Sequence, residues 1–149
     1  MITDLQSEIP NDPVTPTPAA TVISLRDTPT GMEVLMVQRT KKADFAGGAL
    51  LFPGGKVDNS DYEVLKLDRC SLPNDVPDNQ KAIRVAGVRE MFEEAGLLFV
   101  RDNGNKQVIS KERAEALNNI YRQDLLSQKI TFHEMIETEN LVVASDLLI

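Results

Sequence analysis

The sequence predicts a single domain of mixed strands and helices, and three observations carry that reading. The chain has 149 residues, enough for one domain with a real core. Apolar runs of strand length recur at 21–25, 33–38, 49–52, 97–100 and 141–144. Two longer segments, 80–95 and 110–128, instead space their apolar residues by three and four, the helical period.

Residues 1–19 read as a tail. Pro10, Pro13, Pro16 and Pro18 are half of the 8 prolines, mixed with Asp, Thr and Asn, and such a segment cannot bury enough surface to offset its ordering entropy. The domain proper is expected over 20–149. Thr28-Pro29-Thr30-Gly31 is turn chemistry between the first two apolar runs and predicts a hairpin or meander. The run at 49–52 stops at Pro53-Gly54-Gly55, which reads as a tight turn. From about 58 to 78 the chain reads as a loop with at most one short helical turn, punctuated by Pro73, Asn74, Asp75, Pro77 and Asp78.

In the helix expected over 80–95, Val85, Val88, Phe92 and Ala95 form an apolar stripe, and Gly96 is a natural stop. Gly87 inside that helix costs propensity and points to a close packing contact. Ala114, Leu117, Tyr121 and Leu125 mark the second helix, and Thr131 with Glu134 is a capping-box pattern for a short third one. The segment around His133 reads as a polar helix with that histidine facing solvent, and Cys70 reads as a bystander in a loop.

Composition narrows the function. With 16 Lys+Arg against 23 Asp+Glu the net charge is −7, which argues against nucleic acid as a partner. One cysteine excludes an internal disulfide framework and a Cys-rich zinc site, and one histidine argues against a His-based metal cage or a Ser-His-Asp triad. No run approaches the roughly 20 apolar residues of a membrane span, and no secretory signal opens the chain, so the expected location is the cytoplasm.

The chemistry concentrates in Arg89-Glu90-Met91-Phe92-Glu93-Glu94-Ala95-Gly96-Leu97. Glu90, Glu93 and Glu94 stand at i, i+3 and i+4, so one helix face gathers three carboxylates whose repulsion a hard divalent cation would relieve. Arg89, four residues before Glu93, is placed to hold a carboxylate. This run resembles the second half of the Nudix box, GX5EX7REUXEEXGU, and chance would produce it in such a chain with a probability on the order of 10⁻⁵ to 10⁻⁴. Gly55 matches the leading glycine, and Asp61 stands where the family has glutamate. Between Asp61 and Arg89 lie 27 residues rather than seven, an insertion of 20. Gly54-Gly55-Lys56 is not a phosphate-binding P-loop, since Leu50 and Val57 occupy two of its defining positions.

Upstream, Arg39, Gly48 and Phe52-Pro53-Gly54-Gly55 are spaced as in the coenzyme A signature of some Nudix enzymes, with Thr40 and Asp44 departing from it. The whole looks most like the acyl-CoA diphosphatase branch with interrupted boxes. The resemblance implies an α/β fold, the Nudix α/β/α sandwich with a mixed sheet, and hydrolysis of a nucleoside-linked diphosphate with Mg²⁺ or Mn²⁺. It implies Arg89, Glu90, Glu93 and Glu94 as the catalytic set, with Glu90, Glu93, Glu94 and the Gly55 carbonyl on the metal. Arg39, Gly48, Phe52 and Gly54 would meet the substrate, a small nucleotide-type molecule, best matched by CoA or an acyl-CoA. A nucleotide-sugar or dinucleotide diphosphatase, favoured by Asp44, and a non-catalytic nucleotide-binding module are the alternatives. Lys41 and Lys42 read either as a solvated turn or as a contact for an anionic nucleotide. The apolar ending Leu147-Leu148-Ile149 carries the further expectation of a C-terminally truncated domain that self-associates, as a homodimer or larger, through an unfinished sheet.

Overall fold

The computed structural model describes residues 15–39 and 47–149. Most of the tail (1–14) and the readings placed on Thr40, Lys41, Lys42 and Asp44 lie outside the described residues. In chain order the elements are β1 (Ala19–Thr21), β2 (Leu25–Thr28), β3 (Gly31–Val34), β4 (Val37–Gln38), β5 (Leu50–Leu51), β6 (Gly54–Lys56), α1 (Asn59–Lys66), α2 (Asp78–Ala95), β7 (Val100–Asp102), α3 (Lys111–Leu126), α4 (Phe132–Thr138) and β8 (Leu141–Val143), followed by a 3-10 turn, Ser145–Leu147. Six strands precede the first helix, and the mixture of strands and helices agrees with the expected α/β class.

The strands form antiparallel pairs, β1 with β6, β2 with β3, β4 with β5 and β7 with β8. A parallel bridge between Cys70 and Val143 adds the chain after α1 to β8. β2 and β3 are the expected hairpin: Thr28 faces Gly31 across Pro29-Thr30, and the Thr28 hydroxyl donates to the Gly31 carbonyl at 2.7 Å. Gly31 has a φ of 129°, a conformation that L side chains rarely adopt.

Several local readings change. The stretch at 58–78 is not a loop throughout, because Asp58 and Asp61 close a capping box that starts the eight-residue helix α1, and its Val64 is fully buried. Gly54 and Gly55 are not a turn but part of β6, opposite Thr21 and Ala20. A Cβ at Gly54 would run into the Ala20 carbonyl, so that pairing needs glycine there. Pairing also reaches into the expected tail, since Val57 N–H donates to the Pro18 carbonyl at 2.9 Å. The run at 97–100 turns strand-like only at Val100, because Gly96 ends α2 in the left-handed region (φ 70°) and Leu97 N–H folds back to the Met91 carbonyl.

α2 is the axis of the core. Val85, Val88 and Phe92 on its apolar stripe are fully buried and join Leu117 of α3, Met135 of α4 and Val143 of β8. Gly87 serves the predicted close contact: a Cβ there would meet Val22 at 3.0 Å and Leu148 at 3.5 Å. α4 is not the polar helix expected, for it buries Phe132, Met135 and Ile136. Its capping box at Thr131 and Glu134 forms as expected. His133 is half-buried, its ring Nδ1 2.9 Å from the Thr131 hydroxyl and its N–H bonded to the Ser60 hydroxyl on α1. Among the described residues no helix is long and apolar enough to cross a membrane.

The C-terminal turn is clasped to β7 by Arg101, whose Nη1 and Nη2 lie 2.6 and 2.9 Å from the two Asp146 oxygens. These hydrogen bonds hold the Asp146 carboxyl below the usual aspartate range. A carboxyl lowered by folding stabilises above its unfolded value, near about 4, and loses that contribution as pH falls through its folded value. Because the Asp146 side chain is 41% exposed, solvent screening keeps the contribution below about 1 kcal/mol. Asp146→Asn should therefore be slightly less stable than the parent at pH 7, with the gap closing on acidification. Thermal melts across that pH range check this, and a gap that widens at low pH refutes it.

Candidate active site

The site is organised around one guanidinium. Arg89 sits in the middle of α2 with only 5% of its surface exposed, and a guanidinium keeps its charge at any ordinary pH, so burial demands acceptors for all five N–H groups. The structure supplies five bonds. Nε and Nη2 grip the two Asp61 oxygens at 3.0 and 3.1 Å, a bidentate pair. Nη2 also donates to the Lys56 carbonyl at 2.8 Å, while Nη1 reaches Glu90 at 2.7 Å and Glu93 at 3.5 Å. Burial works against the Arg89 charge, but the hydrogen bonds and charge of Asp61, with the charges of Glu90 and Glu93, outweigh it and hold the group above its ordinary value. Asp61 is itself fully buried, and burial raises its carboxyl against the lowering pull of Arg89.

Glu90, Glu93 and Glu94 occupy the last two turns of α2, and each carboxylate has its own restraint. Glu90 bonds Arg89 and lies against Gly55, where a Cβ would overlap its carboxylate. Glu94 accepts the Gly54 N–H at 3.1 Å, tying the helix to β6. Burial pushes the Glu93 carboxyl above its usual range, opposed by Arg89 and reinforced by Glu90 and Asp58.

A hard divalent ion fits this donor chemistry, since three carboxylates are oxygen ligands and the Glu90–Gly55 approach leaves room only for glycine. Among the described residues no three acidic, histidine or cysteine side chains converge closely enough to hold an ion as they stand. The three carboxylates share a helix end, but Arg89 Nη1 holds Glu90 and Glu93 while the Gly54 N–H draws Glu94 to β6.

The other sequence candidates fall elsewhere. Arg39 and Gly48 meet across the β4–β5 connection, the Gly48 N–H donating to the Arg39 carbonyl and the Arg39 N–H to that of Ala49, both at 3.0 Å. Phe52 is half-buried beside buried Pro53. Cys70 donates to the Ser145 hydroxyl at 3.3 Å and is half-buried, so it serves packing near the C-terminal turn. Asp61, which stands where the motif it resembles has glutamate, completes the Arg89 clamp across the insertion. Arg122 of α3, which donates to the Glu93 and Glu94 carbonyls, has no signal in the motif at all.

No family model matches the chain. By sequence it is 26% identical to a Caenorhabditis elegans protein named as a nudix hydrolase, over 78% of this chain and 36% of that protein. It is 27% identical to the acyl-coenzyme A diphosphatase NUDT19 of Xenopus laevis, over 69% of this chain and 36% of that protein. In three dimensions it is similar to a NUDIX hydrolase from Alicyclobacillus acidocaldarius, with a TM-score of 0.56 and 29% identity over 87% of this chain and 57% of that one. The chain spans about a third of the length of these curated relatives.

The clamp predicts a steep response to losing one partner. Asp61→Ala leaves a buried guanidinium without its bidentate acceptor and should destabilise the chain by about 3–5 kcal/mol. Adding Arg89→Met to that background should recover part of the loss, because the orphaned charge goes with it. Urea unfolding of the two single variants and the double variant measures the coupling, and additive losses would show that the pair is not a unit.

Proposed function

We propose that this chain, a member of the Nudix hydrolase family, hydrolyses the diphosphate of a nucleoside diphosphate derivative, and that its substrate is coenzyme A or an acyl-CoA. The products would be 3′-phospho-AMP and phosphopantetheine or its acyl form. The observation that carries the reading is the acidic end of α2 beside β6, where Arg89 holds Glu90 and Glu93, Glu90 lies against Gly55 and Glu94 accepts the Gly54 N–H. The CoA assignment is supported by the spacing of Arg39, Gly48 and the Phe52-Pro53-Gly54-Gly55 element, and by the name of the Xenopus laevis relative.

Glu90, Glu93, Glu94 and the Gly55 carbonyl would hold Mg²⁺ or Mn²⁺. When bound, such an ion neutralises charge on the phosphoryl oxygens and lowers the pKa of water. The chain's own residues do the positioning. Arg89 pins the Glu90 and Glu93 carboxylates from the core side, so that their orientation is set by a group that is itself immobilised by Asp61 and the Lys56 carbonyl. Gly54 N–H sets Glu94, and the missing Cβ at Gly55 lets the strand approach the acidic face.

Glu94→Gln should lower divalent-dependent turnover by about 10²-fold with a melting temperature near that of the parent, since Glu94 is exposed and outside the core. Parent-like rates at saturating Mg²⁺ would remove Glu94 from the ligand set. In a product-resolved assay, 3′-phospho-AMP from CoA should appear faster than AMP from ADP-ribose. The reverse ranking would favour the dinucleotide reading and leave the metal chemistry in place.

A further inference from the structure

We propose that Arg122 is a positioning residue for the acidic end of α2, an inference that rests on the metal-dependent hydrolase reading. A helix C-terminus leaves its last carbonyls without intrahelical donors and carries partial negative charge. Cations belong there, yet the last turn of α2 has no basic residue and instead carries Glu93 and Glu94. Three carboxylates at that end add to the charge already present, so the arrangement needs a compensating cation from another element.

Arg122 supplies it from α3. Its Nε donates to the Glu93 carbonyl at 3.0 Å and its Nη2 to the Glu94 carbonyl at 3.1 Å. The planar fork thus ties two consecutive backbone oxygens, those of two of the carboxylate-bearing residues themselves, to one rigid group. The approach is close. A Cβ on Gly96 would lie 3.1 Å from the Asn118 side-chain oxygen and 3.6 Å from Arg122 Nη1, so α3 packs directly on the left-handed turn that ends α2. Arg89 and Arg122 therefore divide the work: the first holds carboxylate tips from the core, and the second holds the backbone that carries them. Because the clamp acts on backbone atoms, it leaves the carboxylate oxygens of Glu93 and Glu94 available to a metal ion.

Three variants test this, Arg122→Met, Arg122→Lys and, as a control on the same helix, Arg113→Met, whose parent side chain pairs with Glu139 at 2.9 Å rather than with α2. The first readout is amide exchange at Gly96 and Leu97 without metal, since these N–H groups close the end of α2 on the Phe92 and Met91 carbonyls. The second is Mn²⁺ half-saturation by electron paramagnetic resonance, and the third is kcat and KM on CoA. Arg122→Met should speed exchange at both amides and raise Mn²⁺ half-saturation, each by about tenfold, and lower kcat more than it raises KM. Arg122→Lys, which keeps the charge but not the fork, should fall between parent and Met, and Arg113→Met should move none of the three. Parent-like exchange and Mn²⁺ binding in Arg122→Met would overturn the proposal, as would an equal effect from Arg113→Met. If the parent takes up no Mn²⁺ while Arg122→Met still loosens the turn, the hydrolase reading fails and the backbone clamp stands.

Discussion

A guanidinium that cannot shed its charge has been placed in the interior, and much of the molecule is arranged to satisfy it. Arg89 needs acceptors on every side. Asp61 has to arrive on α1, the Lys56 carbonyl on β6, and Glu90 and Glu93 on the same helix as the arginine. That requirement fixes how α1 and β6 lie against α2. The apolar stripe of Val85, Val88 and Phe92 then anchors the opposite side of the helix in the core. Burial of the stripe supplies the driving force, while the bonds of Arg89 to Asp61 and to the Lys56 carbonyl tie α1 and β6 to α2.

The acidic end of α2 is the counterpart of that well-satisfied centre. Carboxylates crowd the negative end of a helix, where local electrostatics disfavour them. Arg89, the Gly54 N–H and Arg122 each relieve part of the conflict. Departures from local preference are expected at functional sites, which hold unfavourable charge ready for a ligand. The neighbouring glycines belong to the same design, since Gly54 and Gly55 let a strand pass where any side chain would collide with backbone or carboxylate.

The insertion between Asp61 and Arg89 shows how a motif survives interruption. Its two ends are held together by the helices that carry them, α1 against α2, so the intervening chain leaves and returns without separating the ion pair. Lengthening such a connection costs little, because loop-closure entropy grows only with the logarithm of length. The returning segment is also fastened, by the Cys70–Val143 bridge and the Ser71 N–H bond to the Val143 carbonyl.

The sequence by itself determined what depends on near neighbours. The β2–β3 hairpin follows from Thr28-Pro29-Thr30-Gly31, the α4 start from Thr131 and Glu134, the α2 stop from Gly96, and the acidic face from the spacing of Glu90, Glu93 and Glu94. α1 was hidden because its capping box is written with two aspartates and its apolar content is slight, so only burial of Val64 against α2 makes it a stable helix. Gly54 and Gly55 read as a turn because glycine favours turns locally, yet their place in β6 is set by β1, more than thirty residues earlier. Asp61 held a motif position in the sequence, but its bond to Arg89, like the whole contribution of Arg122, was decided by the tertiary structure. Each is a single polar residue far along the chain from its partner, and no local periodicity encodes a hydrogen bond whose two ends are brought together by the packing of separate helices.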